Sequence, residues 1–316
     1  MSSTTKSWIW FAVLLTLIAG AGIYVGTNRR AEPGKSFSYS VDDYRQVDPA
    51  LLRYAEADGL RPAIKKLSAL AVAPDGKIYV AGENAIEIFP DRAVRPVDGT
   101  PVCIAVDDDG TVFAGLRDHI EVVSKDGKST AWPSPGEKAC LTSVAVDDRY
   151  VYAADAGSRR VWRYGKAGGA PFEIGAKDEA NGVRGFYIPS PFFDLAIGTD
   201  GSLWVVNPGY HALENYSPEG RLISSWQNSS FGIQGFSGCC NPANFALMPD
   251  GSFVTAEKGL PRVKIHNLDG SLRCVVAAPD QFDNGVTGLD VAADRQGRVY
   301  VLDPARGAVR IFEEKK

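Results

Sequence analysis

Histidine and clustered basic residues are scarce in this sequence, and their scarcity excludes several classes of site. Only His119, His211 and His266 occur, too few and too scattered for a three-histidine zinc site. The formal net charge is −4 and the basic residues form no stripe, so nothing indicates nucleic acid as a partner. The sequence also lacks a GxSxG elbow, a phosphate-binding loop and an HExxH motif. No catalytic motif therefore directs the search for a site.

One phrase recurs along most of the chain. Residues 67 to 89, LSALAVAPDGKIYVAGENAIEIF, contain a short apolar run, a turn at Asp75-Gly76, an alternating run, a second turn and a third strand. Asp-Gly between alternating apolar runs is a strong hairpin signal. Related phrases begin at Cys103, Ser143, Asp194, Asn244 and Gly288, which makes six copies.

The spacing of the copies predicts a β-propeller. Their turn residues lie 34 to 52 positions apart, at Gly76, Gly110, Arg149, Gly201, Gly251 and Gly297. A repeat of this length with four strands is typical of propeller blades. A β-sandwich is the alternative, but it does not need a repeated phrase. We therefore predict an all-β fold, a six-bladed propeller that forms a single domain over residues 36 to 316.

An apolar segment precedes the repeats. Residues 8 to 25 carry no charge over 18 positions, which is enough to span a bilayer with little tilt. A signal peptide cleaved near Ala19-Gly20-Ala21 is the alternative, but the apolar run continues to Val25. We predict a single-pass anchor within residues 1 to 30 and an extracytoplasmic, periplasmic propeller, because only a short tail would stay behind.

The sixth copy supplies three strands and lacks a fourth. Residues 31 to 35 form a polar tether, and residues 36 to 47 alternate apolar and polar side chains as a strand does. We expect residues 36 to 47 to complete the sixth blade, because an open ring would expose two sheet edges. Residues 48 to 62 would then form a short helix or loop.

Two copies carry a more specific pattern. VYAADAGSRRVWRY and VYVLDPARGAVRIF resemble the NHL repeat phrase YVADxxNxRVxxF, and the likeness covers about residues 67 to 312. It fails where Leu116 and Asn207 replace the aspartate. The resemblance, which extends to uncharacterised bacterial NHL-repeat proteins, implies a six-bladed NHL-type propeller. Such propellers serve as protein-interaction platforms, RNA binders and occasionally enzymes, so the family implies a fold better than an activity.

Two connections are longer than blade geometry needs. Residues 175 to 191 precede the fourth blade and residues 228 to 243 the fifth, and strand direction places both on one face, opposite the Asp-Gly hairpins. We expect this face to bind a partner. The candidate contact residues are Cys140, Phe186, Tyr210, His211, Phe231, Cys239, Cys240 and Asn241.

Acids and amides lie at strand ends on the same face. The residues before the first strands are Ala69, Cys103, Ser143, Asp194, Asn244 and Leu289 or Asp290, and those ending the second strands are Gly82, Leu116, Asp155, Asn207, Glu257 and Asp303. Oxygens of Asp194, Asn244, Asn207 and Glu257 can hold a calcium-type cation. Gluconolactonase-like propellers hold a metal with such a set, but no family phrase transfers those ligands to this chain. For Asp155 and Asp303 we expect bonds to the adjacent backbone.

The cysteines are five in number, and two are adjacent. Cys239 and Cys240 follow Gly238 and precede Asn241-Pro242, a loop suited to unusual backbone angles. We expect a structural disulfide, either within the pair or from Cys240 to Cys140. Free thiols without chemistry, or redox or metal work, are the alternatives. Cys103 belongs to the channel ring, and Cys274 is expected to be a packed small residue.

These observations predict an anchored, non-enzymatic module that binds a protein of a membrane-associated assembly. We expect no cofactor and no nucleic acid. The alternative is a metal-dependent, lactonase-like hydrolase that uses Asp194, Asn244 and Glu257.

Overall fold

The computed structural model describes residues 15–18, 20, 44–283 and 285–316. Residues 1 to 43 and residues 44 to 316 form separate compact units. Residues 15–18 and 20 are helical. Among the described residues, no helix is long and apolar enough to cross a membrane. Most of the predicted anchor, residues 8 to 25, lies outside the described residues, so the anchor stays a prediction.

Residues 54 to 314 form six four-stranded antiparallel sheets, which confirms the predicted six-bladed propeller. Blade one contains β2 (Ala69–Val72), β3 (Ile78–Gly82), β4 (Ala85–Phe89) and β5 (Ala93–Pro96). Blade two contains β6 (Cys103–Val106), β7 (Val112–Gly115), β8 (Ile120–Val123) and β9 (Ser129–Ala131). Blade three contains β10 (Leu141–Val146), β11 (Tyr150–Asp155), β12 (Arg160–Gly165) and β13 (Gly168–Ile174).

The remaining blades follow the same order along the chain, except at the closure. Blade four contains β14 (Leu195–Ile197), β15 (Leu203–Asn207), β16 (Ala212–Tyr216) and β17 (Leu222–Gln227). Blade five contains β18 (Asn244–Leu247), β19 (Phe253–Glu257), β20 (Arg262–His266) and β21 (Leu272–Ala277). Blade six contains β22 (Asp290–Ala293), β23 (Val299–Asp303), β24 (Ala308–Glu314) and β1 (Tyr54–Leu60). Short 3-10 turns lie at Pro49–Leu51, Glu179–Asn181, Pro208–Tyr210 and Pro279–Gln281.

The core is divided into clusters that lie between neighbouring blades. Tyr79 and Ile88 of blade one, for example, pack with Ile104 and Val112 of blade two. Five further clusters join the other adjacent pairs, including blade six to blade one. Because the inner strands of each blade are buried on both faces, they are apolar on both sides, which explains their continuous apolar runs.

The predicted closing strand was wrong in position. β1, not residues 36 to 47, pairs with β24 and completes blade six. Residues 36 to 43 lie outside the described residues, and residues 44 to 47 contain no strand. The expected helix or loop at 48 to 62 is instead a 3-10 turn followed by β1. Alternation alone could not choose between the two segments, because both alternate weakly.

Polar contacts lock the closing strand in place. Arg310 of β24 binds the Glu56 carboxylate through two hydrogen bonds, of 2.7 Å from Nε and 2.6 Å from Nη2. The Arg53 carbonyl accepts a hydrogen bond from the Lys315 N–H, at 2.8 Å. The Arg53 N–H donates to the Val275 carbonyl of blade five, at 3.3 Å. The segment before β1 therefore bridges blades five and six.

We predict that a chain starting at residue 48 keeps its melting temperature and stays monomeric, whereas a chain starting at residue 62 aggregates. The longer deletion removes β1 and exposes the edge of β24, a template for pairing with another chain. Light scattering and thermal unfolding of the two chains would measure this. A monomeric chain from residue 62 with unchanged melting would contradict the closure by β1.

Candidate functional site

The loop face is the face that carries residues 175 to 191, residues 228 to 243 and the ends of the second strands. At its centre a cavity of about 390 Å³ opens where the first strands of the blades converge. Arg117, Cys140 and Phe192 contribute to its lining, and Asp194, Asn244 and Asp290 stand on its wall. The cavity therefore combines apolar walls with two carboxylates.

The two carboxylates hold neighbouring blades together in the same way. Asp194 accepts the Leu195 N–H at 2.9 Å and, across the blade boundary, the Phe245 N–H at 2.7 Å. Asp290 accepts the Val291 N–H at 2.9 Å and the Leu70 N–H of blade one at 2.7 Å. This equivalence identifies Asp290, rather than Leu289, as the sixth member of the predicted channel ring. The one-residue-longer hairpin of the sixth copy had left both open.

Ser143 and Asn244 make similar contacts to the next blade. The Ser143 Oγ accepts the Leu195 N–H at 3.3 Å. The Asn244 side chain donates to the Leu289 carbonyl at 2.7 Å. The ring residues of blades three to six thus form a belt of hydrogen bonds between blades, which gives them a structural role at the cavity wall.

Burial alters the titration of both carboxylates. Burial raises the pKa of Asp194 to about 6, against the opposing effect of its hydrogen bonds. Burial and the nearby charge of Asp194 raise the pKa of Asp290 to about 7. The pair therefore changes its charge near neutral pH.

The proposed cation ligands do not converge. Asp194 and Asn244 line the cavity, but Asn207 and Glu257 do not. Asn207 accepts the Tyr187 N–H at 2.9 Å and donates to Glu214 at 2.9 Å, and Glu257 pairs with Arg262 and Lys264. Within the described parts of the chain, no group of three or more histidine, cysteine, aspartate or glutamate side chains could hold a metal ion. The residues present do not fit the predicted four-ligand calcium site.

Asn207 and its neighbours hold the long connection of blade four. The Glu214 carboxylate, which is buried, accepts hydrogen bonds from Asn207, from the Tyr216 hydroxyl at 2.7 Å and from Arg184 at 3.1 Å. Asn207 also donates to the Gly185 carbonyl at 3.0 Å. Residues 184 to 187 are therefore held by hydrogen bonds to β15 and β16 of their own blade.

A buried charged cluster holds the long connection of blade five. The Glu257 carboxylate lies 2.6 Å from Arg262 Nε and 2.8 Å from Lys264 Nζ, and all three side chains are fully buried. The two cations donate to loop carbonyls, Arg262 to Gly232 at 3.2 Å and Lys264 to Gly235 at 2.6 Å. Burial lowers the pKa of Lys264 to about 8, although Glu257 opposes that change. The loop of residues 231 to 237 is thus held by hydrogen bonds from two buried cations to its carbonyl groups.

The strand-end residues of blades three and six show the expected backbone role. Asp155 accepts N–H groups from Cys140 at 2.8 Å and Gly157 at 3.0 Å, and Asp303 accepts the Arg306 N–H at 3.2 Å. The structural interpretation of these two aspartates is confirmed. Glu257 and Asn207 do the same work for longer loops, which is why they are not free to bind a metal.

Aromatic side chains project from the fixed loops. Tyr187 is 50% exposed, Phe231 44% and Tyr210 38%. The Tyr187 and Tyr210 rings lie 5.9 Å apart, and the Arg184 guanidinium lies 3.9 Å from the Tyr210 ring centre. A Cβ at Gly209 would lie 2.6 Å from the Tyr187 carbonyl oxygen, so the approach of the two segments requires glycine there.

The predicted contact residues divide into two groups. Tyr210 and Phe231 are exposed, and His211, Phe231 and Cys239 line a shallow depression, while Cys140 lines the central cavity. Phe186, Cys240 and Asn241 are buried, which corrects their prediction as contact residues. The Phe186 ring packs on the Phe193 ring, with 4.8 Å between the ring centres. The Asn241 side chain donates a hydrogen bond to the Ser237 carbonyl, at 2.6 Å. Sequence reasoning missed Arg184 and Tyr187. It singled out their long connection, residues 175 to 191, but could not tell which of its side chains are exposed.

The predicted disulfide is not formed in this structure. All five cysteines fall within the described residues, and all are free thiols. The Cys239 and Cys240 sulfurs lie 3.3 Å apart, a contact rather than a bond. Cys274 is buried, as expected for a packed residue, and burial raises its pKa to about 11; Cys103 of the channel ring is buried as well.

Comparison with solved structures shows a shared fold at low sequence identity. A streptogramin B lyase matches with a TM-score of 0.61 and 12% identity, over 85% of this chain and 100% of the lyase. Virginiamycin B lyase from Staphylococcus aureus matches with a TM-score of 0.57 and 14% identity, over 83% and 88%. A protein of unknown function from Bacteroides thetaiotaomicron matches with a TM-score of 0.58 and 15% identity, over 82% and 72%.

The shared feature is the β-propeller. At 12 to 15% identity the likeness extends to the fold and not to the chemistry of the lyases. No protein-family model matches the chain. The likeness to NHL repeats therefore rests on the repeat phrase alone. No curated protein matches either.

We predict that Glu257→Gln lowers the free energy of unfolding by about 3 to 5 kcal/mol, because it leaves two buried cations without their counter-ion. Denaturant unfolding would measure the change. Glu83→Gln is the matched control: it breaks the exposed pair with Lys66 and should cost less than about 1 kcal/mol. Equal effects of the two substitutions would contradict the role assigned to the buried cluster.

We predict that wild-type protein loses stability, relative to Asp290→Asn, as pH rises from about 5 to 8. A carboxyl whose folded pKa is raised stabilises the fold below its unfolded pKa, and that contribution is lost as pH rises through the folded value, here about 7. The unfolding free energy of the wild type, taken relative to that of Asp290→Asn, should fall by about 2 kcal/mol over this range. Parallel curves for the two proteins would contradict the assignment.

That comparison is needed because His266 acts in the opposite direction. Burial lowers the pKa of His266 to about 3, so its contribution is gained as pH rises toward the unfolded value. The substitution at Asp290 leaves His266 unchanged, and subtracting the two curves removes its effect.

Proposed function

We propose that this protein is a recognition module that binds a protein partner through the loop face, and that its N-terminal apolar segment holds the module at a membrane. The observation that carries the proposal is the combination of rigid loops with exposed aromatic side chains. Buried Glu214 and Glu257 fix the two long loops, yet Tyr187 and Tyr210 remain exposed, and Phe231 is partly exposed with its ring centre 5.7 Å from that of Tyr44.

This combination is what a binding surface requires. Large exposed aromatic side chains are costly to leave in water and are enriched, with arginine, at the centres of protein interfaces. A loop that is already ordered loses little conformational entropy when a partner binds. Tyr187, Tyr210 and Arg184 therefore suit a partner surface with an apolar centre and hydrogen-bond acceptors.

The rival hydrolase has weaker support. Of its three proposed residues, Asp194 and Asn244 line the central cavity, whereas the Glu257 carboxylate is buried between Arg262 and Lys264. A carboxylate neutralised by two internal cations is poorly placed to serve as a base or as a cation ligand. This arrangement favours the recognition module.

We predict that a photo-crosslinking amino acid at position 210 captures one partner in native membranes, whereas the same group at position 268 captures none. Leu268 is the matched control because it is 59% exposed on a turn between third and fourth strands, which lies on the opposite face. Added wild-type protein should compete for the partner, and the Tyr187→Ala, Tyr210→Ala double variant should compete at least tenfold less well.

Two results would count against the proposal. One is equal crosslinking from positions 210 and 268, which would indicate random collision. The other is equal competition by the wild type and the double variant, which would show that the aromatic pair contributes nothing to binding.

A further inference from the structure

The adjacent thiols differ sharply in their exposure. Cys239 is exposed and borders the depression lined by His211 and Phe231, whereas the adjacent Cys240 is fully buried. Their sulfurs are 3.3 Å apart, with the Cys240 S–H directed at the Cys239 sulfur. An accessible sulfur that contacts a sheltered one is the arrangement in which a first thiol reacts and a second displaces the product.

Two polar side chains lie near the buried thiol, Ser190 from the connection into blade four and Lys258 directly after β19 in blade five. The Ser190 hydroxyl donates to the Cys240 sulfur at 2.8 Å, and Lys258 Nζ donates to the Ser190 oxygen at 3.4 Å. Burial raises the pKa of Cys240, and the Ser190 hydrogen bond and the charge of Lys258 oppose that rise. A cysteine that served only as packing would not need a hydroxyl hydrogen-bonded to its sulfur and an ammonium bonded to that hydroxyl.

We propose that Cys239 and Cys240 form a thiol–disulfide exchange site, in which exposed Cys239 attacks the disulfide of a substrate and buried Cys240 releases the product. The inference is independent of the protein partner proposed above. The substrate class is a disulfide that fits the shallow depression beside Cys239.

The reaction has two balanced steps. First, the Cys239 sulfur bonds to one substrate sulfur, the substrate S–S bond breaks, and the leaving sulfur takes the proton that Cys239 gave up. Second, the Cys240 sulfur bonds to the Cys239 sulfur, the mixed disulfide breaks, and the second product thiol leaves with the proton of Cys240. The substrate is reduced by two electrons and the thiol pair is oxidised by two.

Ser190 and Lys258 act as positioning residues in the second step. Cys240 must become a thiolate to attack, and the Ser190 hydroxyl stabilises that charge at the sulfur. Lys258 orients the hydroxyl and adds a positive charge nearby. The other three cysteines do not fit this role, because Cys103 and Cys274 are buried and Cys140 lines the central cavity.

The test uses the full chain, reduced, freed of reductant and mixed with glutathione disulfide. Wild type should lose two of its five thiols, retain no glutathione and show a Cys239–Cys240 bond on peptide mapping. Cys240→Ser should keep one glutathionyl group on Cys239. Cys239→Ser should react about 100-fold more slowly, because only sheltered thiols remain near the site. Cys274→Ala, at a buried packing residue of blade five, is the control and should behave as wild type.

A separate measurement tests the positioning role. Ser190→Ala should slow the release step about tenfold and move its pH profile upward, because the thiolate loses its hydrogen bond. Ser134→Ala, at an exposed loop serine, should change neither the rate nor the profile.

Three outcomes would overturn the proposal. They are an unmodified Cys240→Ser protein, a wild type that accumulates glutathione without releasing it, and peptide mapping that joins Cys140 to either member of the pair. Mapping of the wild type needs no substitution, so the answer does not depend on whether a variant folds.

Discussion

Closure of the ring is the constraint on which the rest of this structure depends. A propeller buries both faces of every blade against its neighbours, so each inter-blade cluster requires two complete sheets. Pairing of β1 with β24 completes blade six, and Arg310 bound to Glu56 fixes that pairing. Without the closing strand, blade six would present the open edge of β24 as a template for pairing with another chain.

A second principle shapes the loop face. The residue that ends the second strand of a blade reaches back to the loop leading into the same blade. Asp155 does so by accepting the Cys140 N–H, Asn207 with an N–H and a carbonyl, and Glu257 through two cations. Longer loops are thus held by larger polar networks, because more buried backbone groups need partners. Rigid loops follow from this arrangement, and rigid loops allow exposed aromatic residues to act as a preformed surface.

The same network brings the thiol pair and the cavity into one neighbourhood. Ser190 contacts Cys240, Phe192 lines the cavity and lies 4.6 Å from Lys258 Nζ, and Asp194 stands on the cavity wall. Five consecutive residues therefore connect two chemically different features of the loop face.

The repeated phrase was enough to predict six blades, their hairpin turns and the face that carries the long loops. These features are local, because an Asp-Gly turn between alternating apolar residues specifies a hairpin wherever it occurs. The channel ring also followed from alignment of the copies, apart from the choice between Leu289 and Asp290. The anchor at residues 8 to 25 rests on composition alone.

Only the tertiary structure decided which strand closes the ring, which polar residues are free and which thiols meet. Residues 36 to 47 and 54 to 60 alternate similarly in sequence. Only the structure shows that the second segment, β1, pairs with the edge of β24. Glu257 resembled a cation ligand until Arg262 and Lys264, close in sequence, folded against it with their charges buried. Phe186 and Tyr187 are neighbours in one loop, yet one is buried and the other is exposed. Composition and spacing determine local conformation, whereas burial, pairing and exposure depend on what the rest of the chain places opposite each side chain.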